Sequence, residues 1–191
     1  YPSSVREIRF LTTLDRGARR RRALLWLGTW LYWLIGSGAT KRPRLLSPAD
    51  LAREEPVVRV TSSQGGVEYS DAYLVDNDAR FVFNFLRSAI NGGAVAANYV
   101  ESLGAQRDGA LWTCQARDVI SGRPLVIRAR AMVNAAGPYV DAHNATTGID
   151  TGHQHLFSRG IHLIVNRLTR SPRVLTFFAD DGRLFFAIPM G

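Results

Sequence analysis

Two short passages of this sequence carry residue types that suit chemistry. Near the middle, an apolar run that begins at Leu125 ends in three small residues, Ala135, Ala136 and Gly137. Small residues let a ligand or another backbone approach the main chain closely, so this passage predicts either a ligand contact or a buried strand that ends in a tight turn. Further on, His162 offers an imidazole, which titrates near neutrality and can accept a proton while a hydride leaves carbon. The alternative is a strand histidine that is hydrogen-bonded within a sheet.

The passages around these residues resemble a known family. Residues 134–140, Asn-Ala-Ala-Gly-Pro-Tyr-Val, resemble the Asn-Ala-(Ala/Thr)-Gly-Pro-Trp-Val passage of FAD-dependent glycerol-3-phosphate dehydrogenases. Upstream, residues 69–71 and 76–80 are similar to that family's Tyr-Ser-Asp and Asp-Asp-Ala-Arg-Leu stretches. Downstream, residues 158–165 are similar to its Lys-Gly-x-His-(Ile/Leu)-Val-Val segment. The match runs from about Tyr69 to the C-terminus, in order and at compatible spacing.

The resemblance implies an activity and a set of partners. The expected reaction oxidises sn-glycerol 3-phosphate to dihydroxyacetone phosphate, and the electrons pass through FAD to quinone. Such a protein is expected to be cytoplasmic and peripherally attached to the inner face of the cell membrane; a homodimer is left open. One alternative is another FAD-dependent amine or hydroxy-acid oxidoreductase of the same superfamily. A second alternative is a non-catalytic membrane-binding module.

The resemblance also implies roles for particular residues. His162 matches a histidine that faces the substrate side of the flavin, which would make it the catalytic base. Arg159 stands where the family usually carries lysine and is the candidate for substrate binding, with a side chain that only solvates a turn as the alternative. Val95 matches a position whose backbone meets the adenine end of FAD, with an ordinary buried strand valine as the alternative. The residues expected to pass close to the cofactor are Ala135, Ala136 and Gly137.

One motif of a dinucleotide-binding fold is missing from the 191 residues. Such a fold needs a strand, a Gly-x-Gly-x-x-Gly turn and a helix whose N-terminus receives the pyrophosphate. The glycines at 36 and 38 follow no strand pattern and precede no helix pattern. Because the chain also begins at Tyr1 and stops at Gly191 directly after an apolar run, we expect a fragment of a longer protein that is inactive by itself.

The composition argues against several other classes. A formal net charge of +8 would suit nucleic acid, but nearly all the positive charge is arginine, scattered apart from residues 19–22, and no nucleic-acid-binding signature accompanies it. We therefore expect no nucleic-acid partner. The single cysteine, Cys114, excludes an internal disulfide and is expected to be a packed strand residue. His153 and His155 lack nearby cysteine or carboxylate ligands, so no metal site is expected.

The beginning of the chain has an unusual composition. Residues 16–22 are basic, and residues 23–35 are almost wholly apolar and rich in aromatic side chains. Thirteen residues span roughly 20 Å as a helix, which is too short for a bilayer core of about 30 Å. Three interpretations remain: a helix buried in the core, an interfacial helix that contacts the membrane surface through Arg19 to Ile35, and a signal peptide.

The remaining pattern predicts a mixed α/β fold. Helices are expected at 48–54, capped by Ser47, and at 76–90, ended by the glycines at 92 and 93. Strands are expected at 57–61, 94–100, 103–107, 111–117, 124–131, 162–165, 174–178 and 183–188, with turns at 64–66, 108–109, 121–122 and 180–182. This order suits a partial Rossmann-like FAD-binding domain of the D-amino-acid-oxidase-like superfamily with part of an antiparallel-sheet substrate domain. The predicted domains are a basic and aromatic membrane-proximal segment at 1–60, the partial FAD-binding domain at 61–155 and the start of the substrate-domain sheet at 156–191.

Overall fold

The computed structural model describes residues 2–15, 19–61, 63–179 and 181–190. Part of the predicted basic run (residues 16–18 and the side chains of residues 19–21) and one residue of the predicted turn at 180–182 lie outside the described residues. The chain forms two compact units, unit 1 (Tyr1–Phe85 with Leu163–Gly191) and unit 2 (Leu86–His162). The predicted membrane-proximal segment and the predicted substrate-domain sheet therefore both fall largely in unit 1, whereas the domain boundaries at 60 and 155 stay predictions.

The described part of the chain contains both helices and strands. The helices are α1 (Arg19–Ile35), α2 (Pro48–Glu54), α3 (Asp78–Asn91) and α4 (Val140–Thr147). The strands are β1 (Val5–Asp15), β2 (Arg44–Leu46), β3 (Ser63–Leu74), β4 (Val100–Asp108), β5 (Leu111–Asp118), β6 (Pro124–Ala129), β7 (Val174–Phe178) and β8 (Leu184–Ala187). β4, β5 and β6 follow one another without a helix between them. The mixed α/β class predicted from the sequence is confirmed.

Unit 1 is built on a mixed five-stranded sheet in the order β2-β3-β1-β7-β8. Only the β1–β7 pair is parallel among its described pairings; the others are antiparallel. Side chains alternate between the two faces of a strand. One face therefore carries Leu11 of β1 and Leu175 of β7, which form the hydrophobic core with Leu46, Leu51 of α2 and Val58.

The same face carries a buried network of ion pairs, with Arg173 at its centre. The Arg173 guanidinium contacts Glu68 of β3 at 3.0 Å, Glu55 at 3.3 Å and also Glu54 at the end of α2. Glu55 is fully buried and Glu68 is 3% exposed. Two further arginines, Arg9 and Arg44, pair with these carboxylates. The network joins α2, β1, β2 and β3 to the residue that precedes β7.

Helix α1 lies against the other face of this sheet. The hydroxyl of Tyr32 donates a hydrogen bond to the carboxylate of Asp71 in β3 at 3.1 Å. The indole N–H of Trp33 donates to the carbonyl oxygen of Thr40 at 2.8 Å, and the Arg42 guanidinium lies 5.6 Å from the centre of the Trp33 ring. The helix predicted at 23–35 is thus confirmed, but the alternative in which it is buried in the core is wrong. Its outer face is exposed because only the face that carries Tyr32 and Trp33 meets other parts of unit 1.

Unit 2 contains an antiparallel three-stranded sheet in the order β4-β5-β6. The hairpin turns lie at the predicted glycines, and α4 packs on β4. The pairing of β4 with β5 shifts between Ser102 and Gly104. A Cβ at Gly104 would lie 2.8 Å from the carbonyl oxygen of Thr146, and φ there is +129°. Glycine at this position therefore lets the backbone of α4 come close to the strand.

Several predicted elements differ from the structure. Residues 64–66 form part of β3 and not a turn, because the added length of β3 pairs with β2 and β1. Residues 57–61 and 162–165 form no strand, and residues 94–97 are irregular before β4 begins. The run from Leu125 was expected to be buried, yet Leu125, Val126 and Ile127 are 38–58% exposed. They lie in a thin sheet in which α4 packs on β4, two strands away from β6.

Candidate functional site

The turn at 134–137 is organised by one asparagine side chain. The Asn134 amide nitrogen donates to the carbonyl oxygen of Val140 at 3.0 Å and to the Asn144 side-chain oxygen at 2.8 Å. The Asn134 side-chain oxygen accepts the backbone N–H of Ala136 at 3.1 Å. All three contacts are local, so the turn and the beginning of α4 form one rigid piece. The motif at 134–140 predicted no separate role for this asparagine, although a polar side chain directly after an apolar run is a signal for such a role.

The three small residues of this turn present their backbone to solvent. Ala135 and Ala136 are exposed. Gly137 has a φ of +54°, and a Cβ added there would meet no heavy atom within 4 Å. The glycine is therefore required by its left-handed backbone and not by a neighbouring atom. The space beside Gly137 is open, and the contact of a ligand with the main chain here stays a prediction.

The candidate substrate residues lie on an irregular segment of unit 2. Arg159 and His162 are both exposed, and no hydrogen bond among the described residues fixes either side chain. The segment is attached at its base, because the backbone N–H of His155 donates to the carboxylate of Asp141 at 2.8 Å. Asp141 lies in the first turn of α4. The structure thus ties this segment and the turn at 134–137 to the same end of one helix.

Val95 is not brought into this arrangement. It is 97% exposed and lies in an irregular stretch just after Gly93, whose φ is +92°. None of the hydrogen bonds or ring contacts of the described residues links it to the turn or to His162. The alternative interpretation of Val95 as a buried strand valine is wrong, while its role near the adenine end of FAD stays a prediction.

A concave feature lies in unit 1, between α1 and the sheet. It has a volume of about 530 Å³, is open to solvent and is lined mainly by apolar side chains, among them Leu14, Leu25 and Phe178. Its polar end is the pair of Tyr32 and Asp71. The hydrogen bond with Asp71 raises the pKa of the Tyr32 hydroxyl, because a nearby carboxylate disfavours the phenolate.

The residues in the turn at 134–137 fit one edge of a dinucleotide site. Exposed small side chains and a glycine with open space beside it suit close contact with a flat ligand. The glycine-rich loop that would receive the pyrophosphate is not among the 191 residues. The glycines at 36 and 38 form a turn after α1 and do not follow a strand, so they do not replace that loop. Ala135, Ala136 and Gly137 are thus the residues of this chain that would line a bound cofactor.

Comparison with known proteins defines the class of this protein. The sequence model of the family described as FAD dependent oxidoreductase matches residues 6–191, and the chain belongs to that family. The resemblance found in the motifs, the flavoprotein fold and FAD as the cofactor of the family are thereby confirmed.

Particular relatives narrow the comparison further. The chain is 29% identical over 161 residues to the aerobic glycerol-3-phosphate dehydrogenase of Staphylococcus epidermidis, covering 82% of this chain and 28% of the relative. It is 29% identical over 168 residues to the alpha-glycerophosphate oxidase of Streptococcus pyogenes, covering 83% of this chain and 27% of the relative. The fold matches the crystal structure of the glycerol-3-phosphate dehydrogenase from Bacillus halodurans complexed with FAD, with a TM-score of 0.63. The match covers 99% of this chain and 33% of the Bacillus halodurans chain, at 20% sequence identity. The chain thus spans about a third or less of the length of these relatives.

Proposed function

We propose that this chain forms part of a flavoenzyme that oxidises sn-glycerol 3-phosphate to dihydroxyacetone phosphate. The observation that carries the proposal is the joint attachment of two predicted site segments to the first turn of α4. Asn134 binds the small-residue turn to that helix, and Asp141 binds the base of the segment that carries Arg159 and His162. The names of the curated relatives, which act on glycerol phosphate, support the choice of substrate.

The proposed roles of the side chains follow from the chemistry of alcohol oxidation. A secondary alcohol becomes a ketone when it loses a hydride from carbon and a proton from oxygen. When bound, FAD supplies the hydride acceptor. The imidazole of His162 accepts the hydroxyl proton, and the guanidinium of Arg159 binds the phosphate through its planar donors. The small side chains at 135–137 leave the backbone free to contact the cofactor.

The role of His162 is tested by His162→Ala in the complete enzyme. We expect turnover to fall by roughly 10²- to 10⁴-fold, the usual contribution of a general base, while the content of bound flavin stays at the wild-type level. His153→Ala is the matched control, because His153 is another exposed histidine of unit 2 that the proposal leaves outside the site. Unchanged turnover in His162→Ala would remove His162 from the mechanism.

The role of Arg159 is tested through the Michaelis constant. Arg159→Met should raise KM for glycerol 3-phosphate by about tenfold or more, since a charge-assisted hydrogen bond is worth about 1.5–3 kcal/mol. Arg159→Lys should restore part of this loss, because lysine keeps the charge. Arg128→Met serves as the control, since Arg128 is an exposed arginine on β6. An equal KM in Arg159→Met and wild type would contradict phosphate binding by Arg159.

Substrate and electron acceptor need separate experiments. A panel of glycerol 3-phosphate, amino acids and hydroxy acids distinguishes the proposal from the alternative of another oxidoreductase in the same superfamily. Activity on an amino acid without activity on glycerol 3-phosphate would favour the alternative. For the acceptor we propose quinone, so a soluble short-chain quinone should be reduced faster than oxygen is consumed. The reverse order of rates would identify an oxidase.

We further propose that α1 contacts the inner face of the cell membrane. The observation in favour is a row of exposed apolar side chains on its outer face, formed by Leu27, Leu31 and Leu34. Exposed leucines with flanking basic residues are typical of helices that lie in the headgroup region and attract anionic lipid. None of the helices in the described part of the chain is both long and apolar enough to cross a membrane.

Vesicle co-sedimentation tests the membrane proposal. The double variant Leu27→Glu and Leu31→Glu should lose binding to vesicles that contain anionic lipid, while its thermal midpoint stays close to that of the wild type because both side chains are exposed. Ala52→Glu is the matched control, since it adds a charge to an exposed position of α2. Equal binding by wild type and double variant would contradict the proposal. Binding in a complete protein that contains no flavin would instead favour the non-catalytic module.

A further inference from the structure

The side chain of Asn134 is the polar link between the small-residue turn and α4. It is half-buried, whereas Ala135, Ala136 and Gly137 beside it are exposed. A backbone N–H needs an acceptor and a carbonyl oxygen needs a donor. Since the Asn134 side chain meets the N–H of Ala136 and the carbonyl oxygen of Val140, its amide can lie only one way round. The amide makes three of the four hydrogen bonds open to it within this corner of unit 2.

The beginning of α4 has no side-chain cap among the described residues. The short 3₁₀ helix at Gly137–Tyr139 has no side-chain hydrogen bond at its N-cap, Ala136, and α4 has none at its N-cap, Tyr139. Asn134 instead reaches past both caps to the middle of α4, where its Nδ2 lies 2.8 Å from the side-chain oxygen of Asn144. The path of the turn is therefore held by one side chain and its partner on the helix.

The backbone of the turn gains from such a hold. Ala136 has a φ of −75° and a ψ of 9°, and Gly137 follows with a φ of +54°. Glycine adopts many backbone conformations at little cost, so the sequence of the turn by itself does not fix one path. A segment that is already fixed in its bound conformation binds a ligand more tightly, because the loss of conformational freedom has taken place during folding.

We propose that Asn134 is a positioning residue for FAD, which fixes the turn at 135–137 in the path that the cofactor contacts. The inference rests on the proposed contact between this turn and the cofactor, and it uses nothing about the substrate. Asn134 acts through the backbone of Ala136 and through Asn144, and its own side chain needs no contact with FAD. A role in stability alone differs from this in one measurable property, which is the affinity of the folded protein for FAD.

FAD titration of the complete protein, after its flavin has been removed, tests the inference. Flavin fluorescence gives Kd at a temperature at which circular dichroism shows each variant to be folded. Asn134→Leu should raise Kd by about tenfold, the factor that corresponds to one lost hydrogen bond. Asn144→Leu should also raise Kd, while Asn144→Asp should keep the wild-type value because a carboxylate still accepts the N–H of Asn134.

Two results would overturn the inference. One is an unchanged Kd in folded Asn134→Leu. If Asn134→Leu does not fold, the comparison of Asn144→Leu with Asn144→Asp decides, and equal Kd values in these two variants are the second result.

Thr147→Val separates positioning from stability. Thr147 is another half-buried residue of α4, and its hydroxyl donates to the carbonyl oxygens of His143 and Asn144. The variant should lower the thermal midpoint and leave Kd unchanged. A rise in Kd equal to that of Asn134→Leu would mean that any loss of stability in α4 weakens FAD binding, and would overturn the inference.

Gly137→Leu separates this inference from the cofactor contact on which it rests. The variant places a side chain in the open space of the turn and should raise Kd for FAD. A raised Kd in Gly137→Leu together with an unchanged Kd in Asn134→Leu would overturn the role of Asn134 alone. An unchanged Kd in both variants would also remove the turn from the cofactor site. Oxidation of glycerol 3-phosphate is measured separately, so its absence leaves these titrations readable.

Discussion

Arg173→Met should cost more stability than any exposed ion pair of this protein. The guanidinium of Arg173 contacts three carboxylates, and one of them, Glu55, is fully buried. Without the guanidinium, Glu55 keeps only the hydrogen bond from the Thr169 hydroxyl at 2.8 Å among its described contacts. Glu68 still pairs with arginines 9 and 44, so the main penalty falls on Glu55. Removing one partner of a buried ion pair costs about 3–5 kcal/mol.

Urea unfolding of wild type and variant measures this loss. The control is Arg183→Met, because Arg183 pairs with Asp181 on the surface of the same unit, where the two side chains are 84% and 52% exposed. Exposed pairs contribute about 0–1 kcal/mol. At about 2–4 °C of thermal midpoint per kcal/mol for a chain of this size, the two variants should be clearly separated by thermal unfolding as well.

A second substitution isolates the cause. Adding Glu55→Gln to Arg173→Met removes the unpaired negative charge but keeps an acceptor for Thr169. The double variant should therefore be more stable than Arg173→Met alone by about 1–3 kcal/mol. Two results would refute the reasoning: a loss in Arg173→Met no larger than in Arg183→Met, or no recovery in the double variant.

Three further predictions concern the same unit. The hydrogen bond from Arg173 lowers the pKa of Glu54, so the stabilisation by this carboxylate is present above its unfolded pKa near 4.3 and is lost as the pH falls through its folded pKa. Urea unfolding from pH 7 to pH 3 should therefore show a steeper loss of unfolding free energy in wild type than in Arg173→Met. Equal slopes in the two proteins would contradict this. Ser47→Ala removes the acceptor that caps α2 at 3.1 Å, and should cost about 1 kcal/mol in urea unfolding; no loss would mean that the cap is dispensable. Gly65→Ala places a Cβ 2.0 Å from the carbonyl oxygen of Leu46 at a φ of +99°, and should cost about 2–4 kcal/mol; a thermal midpoint equal to wild type would disprove the close approach.

Local signals in the sequence predicted local elements well. α2 was predicted because Ser47 can cap it, and the structure shows the full capping box with Asp50. α3 follows from the helical spacing of its apolar residues, and β5 from its alternation. The glycines at 65 and 66 misled the prediction, because glycine was taken as a turn signal. In the structure they lie within β3, where the carbonyl oxygen of Leu46 and the side chain of Leu11 leave no room for a Cβ.

Long-range pairings were beyond the sequence pattern. The parallel pairing of β1 with β7 places Phe10 beside Val174. The residue pattern of each strand does not indicate which strand it pairs with. The same holds for the ion pairs of Arg173, whose partners lie more than a hundred residues earlier in the chain. For the candidate site, the small residues predicted the turn at 134–137, while its contact with a cofactor stays a prediction. The sequence pattern did not predict the irregular path around His162, because a short apolar run is typical of a strand whether or not a partner strand is present.

The connectivity explains why the candidate site residues lie on irregular segments. A parallel pair of strands needs a long crossover connection, and between β3 and β7 the chain passes through α3 and all of unit 2. The segment that returns from α4 to β7 carries Arg159 and His162, and it has no regular structure from residue 149 to residue 173. Within unit 2, the His155 N–H binds Asp141 near the beginning of this segment. Binding and catalytic residues are concentrated on loops that a scaffold positions, so this attachment to α4 favours a functional role for the segment independently of the motif.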